Sequence, residues 1–134
     1  AVSPKRVRCT LYCQLYEDNI QGEEVAAFLR HLLRQIPGPL IVLLDNGGIH
    51  RGEPVQELLG RTSRLHLEPF PPYAPELNPD EGVWNHLKAH LANGRPDTAA
   101  ELMDVLAEEV CCLAASPVLL RGCIEQSELP PFLP

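Results

Sequence analysis

Asp45 is an acidic residue at a place where the chain would hold a carboxylate rigidly. It directly follows residues 40–44 (LIVLL), a short, β-branched apolar run that is typical of a buried strand. In open α/β sheets, ligands bind beyond the carboxyl ends of such strands, so a carboxylate here is suited to binding a ligand. A simple turn is an equally good interpretation, because Asp-Asn-Gly-Gly is also favourable turn chemistry.

Glu81 is a second carboxylate, at the end of a proline-rich stretch over residues 69–88 (PFPPYAPELNPDEGVWNHLK). Proline restricts φ and favours an extended preceding residue, so the first seven residues are predicted to form a semi-rigid, polyproline-like approach. A helix then begins, with Asn78 as the N-cap and Pro79 in the first position. Asp80 and Glu81 fall in the first turn, which the helix dipole favours. A structural alternative is a capping box, in which the Glu81 side chain would only bind the amide of Asn78.

The elements that position Asp45 are predicted to be a strand, a helix and a second strand. Residues 7–16 mix β-branched, aromatic and apolar residues in a strand-like alternation. Apolar residues recur at helical spacing over residues 22–36 and predict an amphipathic helix. This order predicts that the first strand pairs in parallel with the strand at residues 40–44, which should be covered on both faces.

The remainder of the chain is predicted to contain one short strand and several helices. The helix that carries Glu81 should run over residues 79–91, with Trp84 in the core. Thr98 and Glu101 match a capping box that opens a further helix. The other expected elements are a helix over residues 53–59, a strand around residues 65–67, and a last short helix over residues 118–126.

Length and charge restrict the classes of function. With 134 residues and 45% hydrophobic content, the chain suits one globular domain with a real core. The net charge of −7 disfavours a simple nucleic-acid binder, because phosphate contacts need a basic surface. An acidic core can still act on DNA if its carboxylates hold metal ions and a separate basic module supplies affinity.

Hydropathy and cysteine usage predict the compartment. No apolar run approaches the roughly 18 residues that a membrane span needs, so we expect a soluble cytoplasmic protein with no membrane partner. The five cysteines are odd in number and form no C-x-x-C pair. We therefore expect reduced thiols, most of them buried.

Two long motifs in the chain are familiar. Residues 43–50 (LLDNGGIH) contain a strand followed by Asp-Asn-x-x-x-His, and residues 71–88 contain Pro-Pro-Tyr-x-Pro-Glu-Leu-Asn-Pro-x-Glu-x-x-Trp-x-x-Leu-Lys. Together they resemble the catalytic region of the DDE transposases of bacterial insertion sequences, in the mariner superfamily. The resemblance continues through residues 91–93 and 119–123, so essentially the whole chain can be laid along the C-terminal part of such a protein. It implies an α/β fold, a ribonuclease H-like mixed sheet flanked by helices.

The resemblance also implies the chemistry. Asp45 would be the second acid of the catalytic triad and Glu81 the third, with 35 residues between them. Such acids hold two Mg²⁺ or Mn²⁺ ions about 3.5–4 Å apart, because hard divalent ions take carboxylate oxygens as ligands. The family cuts transposon ends hydrolytically and joins the freed 3′-hydroxyl to target DNA, and a homo-oligomer is expected.

The same resemblance suggests further site residues. His50 would orient Asp45 or contact phosphate, although an ordinary loop histidine fits as well. Asp80 takes a position that is usually apolar in the family and is a possible stand-in for Glu81. The supporting residues are Asn46, His50, Asn78 and Asp80, and the candidate contacts to DNA are Arg51 and Lys88.

The first acid of the triad is not identified. In the family it lies on the first strand of the fold, which this chain is expected to lack, and Asp18 is the only early substitute apart from its neighbour Glu17. The expectation is one N-terminally incomplete domain over residues 1–134, without a separate DNA-binding domain and inactive alone. A rival is an inactive remnant that serves as an oligomerisation or interaction module through an exposed sheet edge. A generic nuclease of the same fold is a weaker rival.

Two other groups of residues have chemical potential. His86 and His90 are four residues apart on one helical face, a spacing that metals use, but the sequence places no third ligand and a zinc site is not predicted. A small basic start, made of Lys5, Arg6 and Arg8, could contact DNA, although a solvated terminus is the simpler interpretation.

Overall fold

The structure is a computed structural model that describes residues 2–4, 9–94 and 96–129. The basic start formed by Lys5, Arg6 and Arg8 lies outside these residues. The chain divides into two compact units, which we name after their candidate acids. The Asp45 unit comprises Asp18–Tyr73, and the Glu81 unit comprises Ala1–Glu17 with Ala74–Pro134.

The described residues form four strands and five α-helices, in a mixed α/β arrangement. Two short 3₁₀ helices lie at Gly48–Arg51 and Pro75–Leu77. In chain order the elements are β1 (Val2–Pro4), β2 (Cys9–Leu11), α1 (Gly22–Gln35), β3 (Leu40–Leu44), α2 (Glu53–Arg61), β4 (Leu65–Pro69), α3 (Pro79–Gly94), α4 (Ala99–Ala114) and α5 (Pro117–Gln126).

A parallel pair of strands forms the sheet of the Asp45 unit. β3 pairs with β4 from Leu40 opposite Leu65 to Leu44 opposite Pro69, and α2 lies between them in the chain. Helix α1 packs against α2, and the apolar stripe predicted for α1 is buried at positions such as Leu29 and Leu32. The short parallel sheet therefore has Asp45 directly after the end of its first strand.

Strand pairing differs from the sequence-based expectation. The strand at residues 40–44 does pair in parallel, but its partner is β4, while β2 pairs antiparallel with β1. Ile41, expected to be covered, is 66% exposed because β3 lies in a two-stranded sheet with one buried face. Strand order and burial depend on long-range packing, which the local apolar pattern does not contain.

Three helices and one strand build the core of the Glu81 unit. Helix α3 packs against both α4 and α5, and β2 packs against α5. The buried cluster holds two residues of α3, and its members are Cys9, Val83, Leu87, Leu113, Leu120 and Cys123. This core supports the helix whose first turn carries Glu81.

Several local predictions in the Glu81 unit were wrong in detail. Strand β2 covers only Cys9–Leu11, and residues 12–16 are not in a strand. Trp84, expected in the core, is 53% exposed, since α3 turns Val83 and Leu87 inward instead. Only Cys9 and Cys123 are buried, whereas the other three cysteines, Cys13, Cys111 and Cys112, are exposed.

The approach to α3 is not a continuous polyproline segment. The chain turns at Pro72 and Tyr73, and Tyr73 has a φ of +59°, in the left-handed region that favours glycine. A 3₁₀ helix over Pro75–Leu77 follows directly. The prolines therefore restrict a turn and a helical step, and not one extended run.

Candidate functional site

The carboxylate of Asp45 is oriented by its own loop. Its Oδ1 atom lies 2.7 Å from Nε2 of His50 and accepts a hydrogen bond from the backbone N–H of Gly47 at 3.0 Å. Its Oδ2 atom has no hydrogen-bond partner among residues 9–94 and 96–129. The Asp45 side chain is 68% exposed, so Oδ2 is open to a ligand while Oδ1 is held.

His50 donates to Asp45 and has a defined tautomer. Its side chain is only 18% exposed, and its Nδ1 atom is buried without a hydrogen-bond partner among the described residues. A proton on Nδ1 would leave a buried donor unsatisfied, whereas a proton on Nε2 points at a carboxylate oxygen 2.7 Å away. The 2.7 Å contact therefore selects the Nε2–H tautomer, which makes His50 an orienting group for Asp45.

The loop behind Asp45 is tied to the second strand of the sheet. The Nδ2 atom of Asn46 donates to the carbonyl oxygen of Phe70, at 2.9 Å, just after β4. The Oδ1 atom of Asn46 accepts from Nη2 of Arg51, at 3.1 Å. Asn46 thus links the ends of β3 and β4 and holds the exposed guanidinium of Arg51 beside the loop that carries Asp45.

Gly47 permits the close approach of Asp45 and His50. A Cβ atom added at Gly47 would lie 3.0 Å from Oδ1 of Asp45 and 3.3 Å from Cδ2 of His50. Any larger residue would have to push this pair apart. The sequence shows two glycines here, but only the three-dimensional contact explains why the first must be small.

Glu81 is presented to solvent by the first turn of α3. The capping-box alternative does not fit, because the backbone N–H of Asn78 donates to the carbonyl of Pro75, at 2.9 Å, and not to Glu81. The Oδ1 atom of Asn78 caps the helix by accepting from the backbone N–H of Asp80 at 3.1 Å. Among the residues that the structure describes, no group is bonded to the exposed Glu81 carboxylate.

Asp80 and Glu81 have different surroundings. Asp80 is half-buried, and its charge acts on the thiol of the buried residue Cys123. Burial raises the pKa of Cys123, its own backbone hydrogen bond lowers that pKa, and the negative charge of Asp80 raises it further. Asp80 therefore lies near the interior of the unit, while Glu81 is the acid that is accessible to a ligand.

Gly82 positions the first turn of α3. A Cβ atom added at Gly82 would lie 3.1 Å from Cβ and 3.2 Å from Cα of Cys123, on α5. This contact lets α3 and α5 approach closely directly beside Glu81. Lys88, two turns further along α3, is exposed.

A third group of side chains joins α3 and α4. His86 and His90 on α3 meet Glu109 of α4, and their ligand atoms all lie within 4.8 Å of one another. The sequence offered the two histidines but no third ligand. Glu109 was missed because nothing in the local pattern of α4 indicates which of its residues faces α3.

Comparison with protein families shows the family to which the chain belongs. The family model described as DDE superfamily endonuclease matches residues 6–103, which is more than half of the chain and contains both Asp45 and Glu81. The chain belongs to this family. Comparison of this DDE endonuclease chain with curated proteins gives no match. Within its described residues, no helix is long and apolar enough to cross a membrane.

Membership of the DDE endonuclease family sets the broad function. The family implies DNA as the substrate, a nuclease or transposase type of reaction, and general use of divalent metals. Mg²⁺ and Mn²⁺ are hard ions that bind carboxylate oxygens. Oδ2 of Asp45 and the exposed carboxylate of Glu81 are oxygen donors of this kind, so each fits as a ligand for such an ion.

Proposed function

We propose that this chain contributes the second and third acids, Asp45 and Glu81, to the phosphoryl-transfer centre of a DDE transposase. This centre would cleave DNA at the ends of a bacterial insertion sequence and join the ends to target DNA. The observation that carries the proposal is the geometry of Asp45, which has one carboxylate oxygen oriented by His50 and the other open to solvent.

The bound metal ions would activate the attacking oxygen and stabilise the leaving oxygen of the phosphodiester. The residues of the chain have other tasks. His50 and the backbone of Gly47 keep the Asp45 carboxylate in one orientation, which metal binding at defined distances requires. Asn78 caps the helix that presents Glu81, and Asp80 stays a secondary acid. Arg51 and Lys88 are exposed cations suited to DNA phosphates.

The proposal is tested by calorimetric titration of Mg²⁺ and Mn²⁺ into the wild-type chain and an Asp45→Asn, Glu81→Gln double variant. A matched control is Glu68→Gln, Glu125→Gln, which also removes one exposed carboxylate from each unit. We expect binding by the wild type and the control and its loss in the Asp45, Glu81 variant. Equal binding by all three proteins would contradict the proposed metal ligands.

The first acid of the triad is not among the residues that we assign. We therefore propose that the chain by itself binds metal weakly and does not cut DNA. The measurement is nicking of supercoiled plasmid in the presence of Mg²⁺ or Mn²⁺. Nicking that disappears in the Asp45→Asn, Glu81→Gln variant would contradict the proposed inactivity while supporting the assigned acids.

A second candidate function is an oligomerisation module. Ile41 is 66% exposed, and among the described strands β3 and β4 each have one partner, which leaves their other edges unpaired. Sedimentation of the wild type and an Ile41→Thr variant tests this function. A dimer that dissociates in the variant supports it, and a monomer at all concentrations excludes it.

A further inference from the structure

We propose that His86, His90 and Glu109 form a binding site for a late first-row divalent ion, of which Zn²⁺ is the most suitable. The site lies entirely within the Glu81 unit, where two ligands come from α3 and the third from α4. Each residue offers one ligand atom, and the three atoms lie within 4.8 Å of one another. The proposed ion is different from the hard ions that the DDE carboxylates would bind.

The two histidines share one face of α3. Residues four apart lie one above the other on a helix, and the ring centroids of His86 and His90 are 4.5 Å apart. His86 is half-buried, while the side chains of His90 and Glu109 are 47% and 25% exposed. The site therefore lies in the groove between α3 and α4 and is open to solvent on one side.

Hydrogen bonding selects the tautomer of His90 that can bind a metal. Its Nδ1 atom lies 3.0 Å from the carbonyl oxygen of His86. A carbonyl only accepts, so Nδ1 carries a proton, and in the neutral imidazole the lone pair is then on Nε2. Metal-binding histidines commonly donate their other N–H to a carbonyl or carboxylate in this way, which orients the ring and increases its basicity.

His90 and Glu109 face each other without a hydrogen bond between their side chains. Nε2 of His90 is 3.8 Å from Oε2 of Glu109, which is too long for a hydrogen bond. With the proton on Nδ1, two acceptors face each other, and a cation between them would satisfy both.

The separation of the donor atoms suits one small ion after a minor adjustment. Zinc binds nitrogen and carboxylate oxygen at about 2.0–2.2 Å, so the ligand atoms of a tetrahedral site are about 3.4 Å apart. The 3.8 Å between His90 and Glu109 is close to that value. Because both side chains are partly exposed, small rotations can bring the donors together, and a water molecule would complete the coordination.

The ligand set determines which metal binds. Imidazole nitrogens favour zinc, copper, nickel and cobalt, whereas Mg²⁺ prefers carboxylate oxygens and water. A site with two imidazoles should therefore bind Zn²⁺ in the presence of excess Mg²⁺. Bound zinc would link α3, which carries Glu81, to α4 and stabilise the folded protein by mass action.

The experiment is titration of Zn²⁺ into the full chain in the presence of millimolar Mg²⁺, with thermal denaturation as a second readout. We expect His90→Ala and Glu109→Gln each to weaken Zn²⁺ binding by at least about tenfold. The matched controls His66→Ala and Glu108→Gln, which alter exposed residues outside the cluster, should bind like the wild type. Circular dichroism without metal checks that every variant folds.

Exposed thiols are the rival ligands, because Cys111 and Cys112 follow Glu109 on α4. Co²⁺ distinguishes them, since thiolate ligands produce an intense charge-transfer band in the near ultraviolet and imidazole or carboxylate ligands do not. We expect no such band, and unchanged binding in a Cys111→Ser, Cys112→Ser variant. A thiolate band, or binding unaffected by His90→Ala, would overturn the proposal.

The result of the Zn²⁺ titration does not depend on the proposed DDE chemistry. The Asp45→Asn, Glu81→Gln variant should bind Zn²⁺ as the wild type does, because neither acid is a ligand of this site. Loss of zinc binding in that variant would contradict the assignment to His86, His90 and Glu109.

Discussion

Nε2 of His50 lies 2.7 Å from Oδ1 of Asp45, while the other carboxylate oxygen of Asp45 has no hydrogen-bond partner among the described residues. The histidine and the backbone N–H of Gly47 share one oxygen and leave the second open. A carboxylate held in this way loses less conformational freedom when it binds an ion. The loop after β3 therefore holds the Asp45 carboxylate in an orientation suited to the proposed metal binding.

Removing His50 should weaken metal binding without unfolding the chain. Without the hydrogen bond from Nε2, the exposed Asp45 carboxylate can rotate, and loss of an orienting partner commonly costs about tenfold or more in metal affinity. We expect His50→Ala to show this loss for Mn²⁺ by calorimetry, while His66→Ala binds like the wild type. Unchanged Mn²⁺ affinity of His50→Ala would mean that His50 is an ordinary loop residue.

A methyl group at Gly82 should loosen the turn that presents Glu81. The new Cβ atom would meet Cα and Cβ of Cys123 at 3.2 and 3.1 Å, so the helices must move apart. We expect Gly82→Ala to lower the free energy of unfolding by about 1–3 kcal/mol. Chemical denaturation provides the measurement.

Gly122→Ala is the matched control, on the neighbouring helix α5. A Cβ atom there meets nothing within 4 Å, and alanine is the better helix former. This variant should be as stable as the wild type or up to about 1 kcal/mol more stable. A similar destabilisation by both substitutions would show that the contact with Cys123 is unimportant.

Arg64 should stabilise the end of α1. Its guanidinium donates to the carbonyl oxygens of Leu33 at 3.3 Å in the last turn of α1, of the C-cap residue Ile36 at 2.7 Å, and of Gly38 at 3.0 Å just beyond the helix. The carbonyls at a helix end have no partner within the helix. Because Arg64 is exposed, we expect a loss of only about 1 kcal/mol in Arg64→Ala.

Two further variants test this interpretation of Arg64. Arg64→Lys should recover little of the stability that Arg64→Ala loses. The compact ammonium group of lysine cannot donate to three carbonyls at once, as the planar guanidinium does. Arg61→Ala, which removes an exposed charge at the end of α2, should have almost no effect. Equal stability of Arg64→Ala and Arg61→Ala in urea would contradict the capping role.

Titration of Cys123 should make stability fall at alkaline pH. Burial raises the pKa of this thiol above its ordinary value, so the unfolded chain loses the proton first as pH rises. The protonated Cys123 thiol contributes to the free energy of unfolding. This contribution is fully present below the ordinary thiol pKa of about 8.5 and is lost as pH rises through the higher pKa of the folded state.

The measurement is the free energy of unfolding of the wild type and Cys123→Ala from pH 7 to 10, under reducing conditions. We expect the wild type to lose more stability than the variant above about pH 8.5. Cys112→Ala controls for removal of an exposed thiol. Parallel pH profiles of the wild type and Cys123→Ala would refute the prediction.

Local signals in the sequence were sufficient for several elements. The apolar run predicted β3 at Leu40–Leu44 with the observed bounds, and the amphipathic stripe predicted α1 to within one residue of its end. The N-cap of α4 was also correct, because the Oγ1 atom of Thr98 accepts from the backbone N–H of Glu101. The second bond of the predicted capping box differs, since the Glu101 carboxylate accepts from the backbone N–H of Asp97 and not of Thr98. The family was confirmed by the match over residues 6–103, while the assignment of Asp45 and Glu81 stays a prediction.

Other features depended on the tertiary structure, because they are set by residues distant in the chain. The partner of β3 is β4 and not the first strand, Trp84 lies at the surface, and Glu109 meets two histidines of another helix. The sequence by itself determined where helices begin, which runs are apolar and which motifs mark the DDE family, since these are properties of neighbouring residues. Only packing decided which faces are covered and which polar groups come together, because burial depends on every element that approaches a residue.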